Sequence, residues 1–556
     1  MNQAVPMPAA LLPPVGKAAG AGKEIELKLL VAPEDVRRVL RHPALMAAKR
    51  GRSRRAKFQA FYYDTPDCAL ERAQLALRVR REGARWVQTV KGRGTSAAGL
   101  HARDEFEWPL MAQRLNLDVL AASPFAKIFA REDVRGGLQA LFTTEFERTT
   151  LALELGAGVQ AELAVDQGLI RAGRHTTPIS EIELEMKAGE AGAAFRLALA
   201  VQASVPLTLG HRSKAERGYA LARGAVDTPQ KAKAVELDET LDAGDALRRI
   251  AWRCIAQMQA NEAGTLDGRD PEFLHQLRVG LRRLRSCLAL ARAPIVASSH
   301  PDLLEELRSL QNALGPARDW DVFATETLPP IVARFQGAQG QATSSSTTGD
   351  HRDGEATPAA PGDASGLAGL RVRAGQLRRA HGRAAAEVLR SPRYPRLLLT
   401  LGLALCDDTL DAKGEETAWL DTPVEKYAIE VLAQRHKKLK KRGAHLATAT
   451  PEERHAARIA GKKLRYAAEF FSPLFGKKKT RRYTAALSGL QDSLGALNDA
   501  SVTERLLAEV VAAGKSRPDP TAIALVRGWV AGAAHQRLGE LSDRWVEFVD
   551  CTPFWN

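Results

Sequence analysis

The sequence predicts an α+β protein in two parts: an antiparallel β sheet or barrel with flanking helices over residues 23–225, then an all-α domain over 240–550. Three observations lead there. Charged and apolar residues alternate in short runs before residue 190, as in Glu24-Ile25-Glu26-Leu27-Lys28. From about Val235 this alternation gives way to long Ala-, Leu- and Arg-rich stretches with helical periodicity. Within those stretches two separate motifs recur at one shared offset, which marks a pair of duplicated helical bundles.

The elements follow in order. Residues 1–22, rich in Pro, Ala and Gly, read as a disordered lead-in, without the basic and apolar regions of a signal peptide. Strands are expected at 23–30, 57–64, 74–81, 85–91, 103–109, 145–155, 160–167 and 180–187. Short turns between them favour antiparallel pairing. Helices are expected at 33–42, 114–121, 124–130 and 190–202, and a linker at 226–239. Inside the helical domain, 336–366 is poor in apolar residues and carries Ser344-Ser345-Ser346-Thr347-Thr348-Gly349, so it reads as a disordered insertion.

Bulk properties narrow the function. A chain of 556 residues holds more than one domain. No apolar run approaches the ~20 residues of a membrane span. The five cysteines are scattered, which speaks against a zinc site or disulfide framework and for a reducing cytosol. A net charge of +15 calls for polyanionic partners. Aromatic residues are only 6% and do not interleave with the basic runs, so a stacking surface for nucleic acid is disfavoured.

Strand register then groups the charges. Residues two apart share a face, so Glu24, Glu26 and Lys28 lie opposite Ile25 and Leu27. Glu181, Glu183, Glu185 and Lys187 repeat the pattern. Arg78 and Arg80 share a face, as do Arg103, Glu105 and Glu107, and Glu162 and Asp166. One such strand is ordinarily half-solvated surface. Several, with both signs of charge, would line a barrel with a charged tunnel able to hold a hard metal ion beside an anion.

In the helical half, His275-x-x-Arg278-x-x-x-Arg282-Arg283-Leu284-Arg285 returns 180 residues later as His455-x-x-Arg458-x-x-x-Lys462-Lys463-Leu464-Arg465. Leu310-Gln311-x-x-Leu314-Gly315-x-x-x-Asp319 returns at the same offset as Leu490-Gln491-x-x-Leu494-Gly495-x-x-x-Asp499. The spacing puts His275, Arg278, Arg282 and Arg285 on one helical face, and His455, Arg458, Lys462 and Arg465 on another. Like charges so placed cost a few tenths of a kcal/mol per pair, which an anionic ligand would offset. Arg435 to Arg442 and Lys477-Lys478-Lys479 add further positive charge.

These residues resemble two families in tandem. Residues 23–225 resemble a CYTH domain of the triphosphate tunnel metalloenzymes, through Glu24-x-Glu26-x-Lys28, Leu77-Arg78-Val79-Arg80, Thr89-Val90-Lys91-Gly92, Arg103-Asp104-Glu105-Phe106-Glu107, Glu181–Glu185 and Ser213-Lys214-x-x-Arg217-Gly218-Tyr219. Residues 240–550 resemble a CHAD domain, through the duplicated basic helix and its Leu-Gly-x-x-x-Asp motif. The resemblance implies an eight-stranded antiparallel tunnel acting on triphosphates with Mg²⁺ or Mn²⁺. It implies metal ligation by Glu24, Glu26, Glu183 and Glu185, with Glu105, Glu181 and Asp166 as further candidates. Lys28, Arg78, Arg80, Lys91, Arg103, Arg148, Lys214 and Arg217 would hold phosphates, and Lys28 would share in catalysis with the four glutamates. His275, Arg278, Arg282, Arg283, Arg285, His455, Arg458, Lys462, Lys463 and Arg465 would bind long-chain polyphosphate. The implied activity is hydrolysis of inorganic triphosphate to diphosphate and phosphate in the cytoplasm, with polyphosphate granules as one location. Thiamine triphosphatase, nucleoside triphosphatase, adenylate cyclase and a non-catalytic polyphosphate scaffold are the alternatives.

Overall fold

The computed structural model describes residues 23–121, 123–290, 300–342, 363–406, 418–446, 448–513 and 518–556. The proposed lead-in at 1–22 and the centre of the proposed insertion, 343–362, lie outside them. The two edges of that insertion are helical, since one helix runs Leu328–Ala342 and the next Asp363–Arg390.

Nine strands form one antiparallel sheet: β1 Lys23–Val31, β2 Lys49–Asp64, β3 Ala76–Glu82, β4 Arg85–Ala97, β5 Leu100–Leu110, β6 Gln139–Gly156, β7 Val159–Ala172, β8 His175–Ala188 and β9 Leu207–Leu209. Their order is β5-β4-β3-β2-β6-β7-β8-β1-β9, and a β5–β1 pairing closes the first eight into a barrel. Short β9 pairs with the end of β1. Several strands exceed their expected lengths. β2 starts at Lys49 because Lys49–Lys57 pairs with β6 while mostly exposed, so it shows no apolar alternation. The helix expected at 33–42 is broken, and His42 caps a separate helix beginning at Pro43.

Alternation along β1 decides what faces where. Ile25, Leu27 and Leu29 are buried in the apolar layer with Val36, Val39, Leu45 and Phe195. Full burial of a leucine such as Leu27 is worth about 2 kcal/mol. Glu26 and Lys28 are buried on the other side, inside the barrel. The Lys214–Arg223 helix packs on β6 and β7. Ser213 starts it with a capping box, accepting from the Glu216 N–H while Glu216 Oε2 accepts from the Ser213 N–H at 2.7 Å. Gly218 lets this helix approach closely, since a Cβ there would lie 2.0 Å from Phe142.

From Ala243 onward the described chain is helical. The basic motifs occupy helices Pro271–Leu288 and Pro451–Phe471, which pack on each other. One apolar core runs from the barrel's outer layer into the helical half. At the junction Gly402 meets the Phe195 ring, and Gln202 Nε2 donates to the Pro392 carbonyl at 2.9 Å. Among the described residues no helix is long and apolar enough to cross a membrane.

Candidate active site and anion-binding face

Register brings the charges of β1, β7 and β8 together. Lys28 lies opposite Glu183, Glu26 opposite Glu185, and Asp166 opposite Glu181. Lys28 Nζ donates to Glu181 Oε1 at 2.8 Å and also to Glu183. Lys214 Nζ, entering from the capped helix, lies 2.6 Å from Asp166, 2.6 Å from Glu181 and 2.9 Å from Glu183. Arg148 holds Asp166 through two bonds of 2.7 and 2.6 Å and reaches Glu183 at 2.5 Å. Arg217 Nη1 donates to Glu181 at 3.1 Å. Burial opposes ionisation of Glu181, but the ammoniums of Lys214 and Lys28 outweigh it and hold the carboxyl down at about 2. Burial likewise opposes charge on Glu183, yet Lys214, Lys28 and Arg148 hold it well below the usual carboxylate range.

The opposite wall comes from β3, β4 and β5. Arg78 pairs with Glu105 at 3.2 Å, and Lys91 with Glu24 at 2.7 Å and Glu105 at 3.2 Å. Arg103 pairs with Glu26 at 2.8 Å and Glu24 at 3.5 Å. Arg80 pairs with Glu82 and, at 3.5 Å, with Glu107. Phe58 and Phe146 stack at 5.5 Å and carry Arg148 at 5.6 Å from each ring. The buried Nε atoms of Arg78 and Arg80 have no hydrogen-bond partner. A buried donor without a protein partner calls for water, an ion or a ligand to satisfy it.

The barrel thus gathers Glu24, Glu26, Lys28, Arg78, Arg80, Lys91, Arg103, Glu105, Arg148, Asp166, Glu181, Glu183, Glu185, Lys214 and Arg217 in and around one interior. Lys91 faces inward although Gln88-Thr89-Val90-Lys91 alternates poorly, and a register shift follows it before Gly94. Glu82 and the buried His101 also line the cavity. Glu82 could have been found from its spacing to Arg80, whereas nothing in the sequence distinguishes His101.

The donor set suits a hard divalent ion. Oxygens of Asp166, Glu181 and Glu183 lie within 4.8 Å of one another, but Lys28 and Lys214 already neutralise them. Glu185 differs: burial pushes its carboxyl up, and Glu24 and Glu162 act the same way against the Lys187 ammonium. All of these donors are carboxylates, which fits Mg²⁺ or Mn²⁺ rather than metals that favour His or Cys.

The helical half carries a second charged site with internal symmetry. Arg285 Nη1 donates to Gln311 Oε1 at 2.5 Å, and Arg465 Nη1 donates to Gln491 Oε1 at 3.4 Å. The two recurring motifs therefore make equivalent contacts in both copies. Burial, with Arg458 and Arg282 beside it, pushes Lys462 down to about 8. Burial and Arg282 push Arg278 down to about 10. Arg282 therefore lies close enough to repel Arg278, Arg458 and Lys462, and Arg458 close enough to repel Lys462. His275 is partly buried and His455 exposed on the same two helices.

Two residues grouped with them by sequence lie elsewhere. Arg283 is buried, pairs with Glu469 and sits 4.9 Å over the Phe470 ring, so it ties the two basic helices together from within. Lys463 is exposed on the side of Arg435, Lys438 and Arg442. Both directly follow a face residue, which turns the side chain by roughly 100°.

A closed, charge-lined barrel joined to a duplicated helical bundle defines the class. Residues 22–219 match the CYTH domain family and residues 249–508 match the CHAD domain family, so the chain carries a CYTH domain followed by a CHAD domain. Among curated proteins, an inorganic triphosphatase of Haemophilus influenzae is 35% identical over 162 residues, covering 29% of this chain. The match spans 44% of that relative's length, less than half of it. Among solved structures, the CHAD domain from the plant Ricinus communis is 33% identical, covers 58% of this chain and 98% of its own, and has a TM-score of 0.47. HpAC1 from Hippeastrum, described with a dominant triphosphatase activity, is 20% identical, covers 36% of this chain and 95% of its own, and has a TM-score of 0.27.

Proposed function

We propose that the barrel hydrolyses inorganic triphosphate to diphosphate and phosphate with Mg²⁺ or Mn²⁺, and that the helical domain binds long-chain polyphosphate. The observation that carries the first part is the closed barrel interior lined by paired lysines, arginines and carboxylates, with the Nε atoms of Arg78 and Arg80 left without a protein partner. The name of the Haemophilus influenzae relative supports the same substrate.

Phosphoryl transfer is mostly positioning and charge stabilisation. Lys28, Arg78, Arg80, Lys91, Arg103, Arg148, Lys214 and Arg217 would grip the three phosphates and neutralise the departing diphosphate. Glu24, Glu26, Glu183 and Glu185 would hold a divalent ion, which when bound supplies positive charge to the phosphate oxygens. Glu105, Glu181 and Asp166 would fix the cationic side chains. Glu183, held ionised and lining the cavity, would act as a hydrogen-bond acceptor rather than as an acid, and so could orient the attacking water.

In the helical domain the crowded Arg278, Arg282, Arg458 and Lys462 support a polyanion ligand, since a phosphate chain would relieve their repulsion. A cytoplasmic location, including polyphosphate granules, fits the five free thiols. Phosphate release from inorganic triphosphate, with Mg²⁺, with Mn²⁺ and with chelator, tests the catalytic part. Turnover with either ion that chelator abolishes supports it, and no release under any condition rejects it.

A further inference from the structure

The cavity inside the barrel, about 1350 Å³, is not enclosed by the barrel alone. Its lining includes Lys231 and Lys233 of the segment after the barrel, and Arg253, Gln257 and Ala260 of the first long helix of the helical domain, Ala243–Ala260. Positions 253, 257 and 260 recur at helical spacing, so one face of that helix forms part of the cavity wall.

This wall is fixed to the barrel rim. Gln259 Oε1 accepts from the Ala98 N–H at 2.6 Å, between β4 and β5. Fully buried Asn261 accepts from the Gln230 N–H and donates to the Gln230 carbonyl, both at 2.9 Å. Lys231 is thus held beside an anchored peptide, and Arg253 projects from an anchored helix.

Charge balance separates this wall from the interior. Lys28, Arg78, Arg80, Lys91, Arg103, Arg148 and Lys214 each pair with a carboxylate. Among the described residues, no such pair involves Arg253, Lys231 or Lys233. The same holds for Arg52 and Arg54 on β2, which also line the cavity. Arg52 and Arg54 are exposed whereas Arg253 is partly buried, so water and salt screen Arg253 less.

We propose that Arg253, assisted by Lys231 and Lys233, binds the phosphate groups of an inorganic phosphate chain that extend beyond the three held in the barrel. The helical domain then completes the substrate site and sets its preference for chain length. This inference rests on the phosphate-binding reading of the barrel.

The test uses the full chain with Arg253→Ala, Arg253→Lys and the double variant Arg52→Ala/Arg54→Ala. Steady-state hydrolysis of inorganic triphosphate and tetraphosphate is compared, and tetraphosphate binding is titrated calorimetrically with chelator present. Arg253→Ala is expected to weaken tetraphosphate, in KM and in binding, by about tenfold, the loss of one charge-assisted contact. KM for triphosphate should not move, and Arg253→Lys should restore most of the loss. An equal effect on both substrates, no effect on either, or the tetraphosphate effect arising only in the β2 double variant would overturn the proposal. If the wild-type chain turns over neither substrate, the catalytic reading fails on its own, and the titration still decides the role of Arg253.

Discussion

The ammonium of Lys214 lies 2.6 Å from Oδ2 of Asp166, joining the helix that follows the barrel to the floor of the charged interior. The same nitrogen meets Glu181 and Glu183. Removing it leaves three close carboxylates with Lys28 and two arginines to balance them. Lys214→Met is expected to lower kcat by about 100-fold, the typical loss of one positioned charge. It should also cost about 3 kcal/mol of stability, because buried carboxylates lose their partner. Phosphate-release kinetics and denaturant unfolding measure the two effects separately.

Gly218 makes the same helix sensitive to a single methyl group. A Cβ there would lie 2.0 Å from Phe142, so Gly218→Ala must push the helix off β6. Lys214 and Arg217 would be drawn away from Glu181. Triphosphate hydrolysis should fall at least tenfold, while polyphosphate binding by the helical domain stays unchanged in a filter-retention assay.

Acid should destabilise the barrel through Glu181. Its carboxyl is held at about 2, against an ordinary value of 4.5. A depressed carboxyl value contributes stability that is complete above the unfolded value and lost as pH falls towards the folded one. The melting temperature is therefore expected to drop between pH 4.5 and 2. Glu181→Gln should lower it at neutral pH and flatten this acid dependence.

Lys462 gives the helical face the opposite pH response. Burial and the neighbouring Arg458 and Arg282 hold it at about 8, so it is charged below that pH and neutral above. Polyphosphate affinity should weaken as pH rises through 8. Lys462→Arg should bind as tightly above that pH as below it, because a guanidinium does not titrate there. Binding isotherms at fixed ionic strength read the difference.

The fold was legible where one face of an element is apolar and the other charged. Glu24-Ile25-Glu26-Leu27-Lys28 specifies its strand, its buried outer face and its charged inner face at once. Lys49–Lys57 failed that test because the extended β2–β6 ladder is mostly solvated on the β2 side. Lys91 was hard to read because polar Gln88 and Thr89 are both buried, one on each face. Lys214 and Arg217 carry no strand pattern and were reached only by resemblance. Arg283 and Lys463 looked like members of the basic face because they sit next to it in sequence, yet helical rotation sends one inward and the other to a neighbouring surface. Arg253 was invisible to sequence reading: its place at the cavity depends on how the helical domain docks on the rim near Ala98.

The most direct measurement is phosphate release from inorganic triphosphate, ATP and thiamine triphosphate by the full chain and its Glu183→Gln variant, with Mg²⁺ or Mn²⁺ present. Wild-type turnover strongly favouring inorganic triphosphate, with about a 100-fold loss in the variant, is the expected result. Preference for ATP with cyclic AMP as product, or undiminished activity in Glu183→Gln, would contradict it.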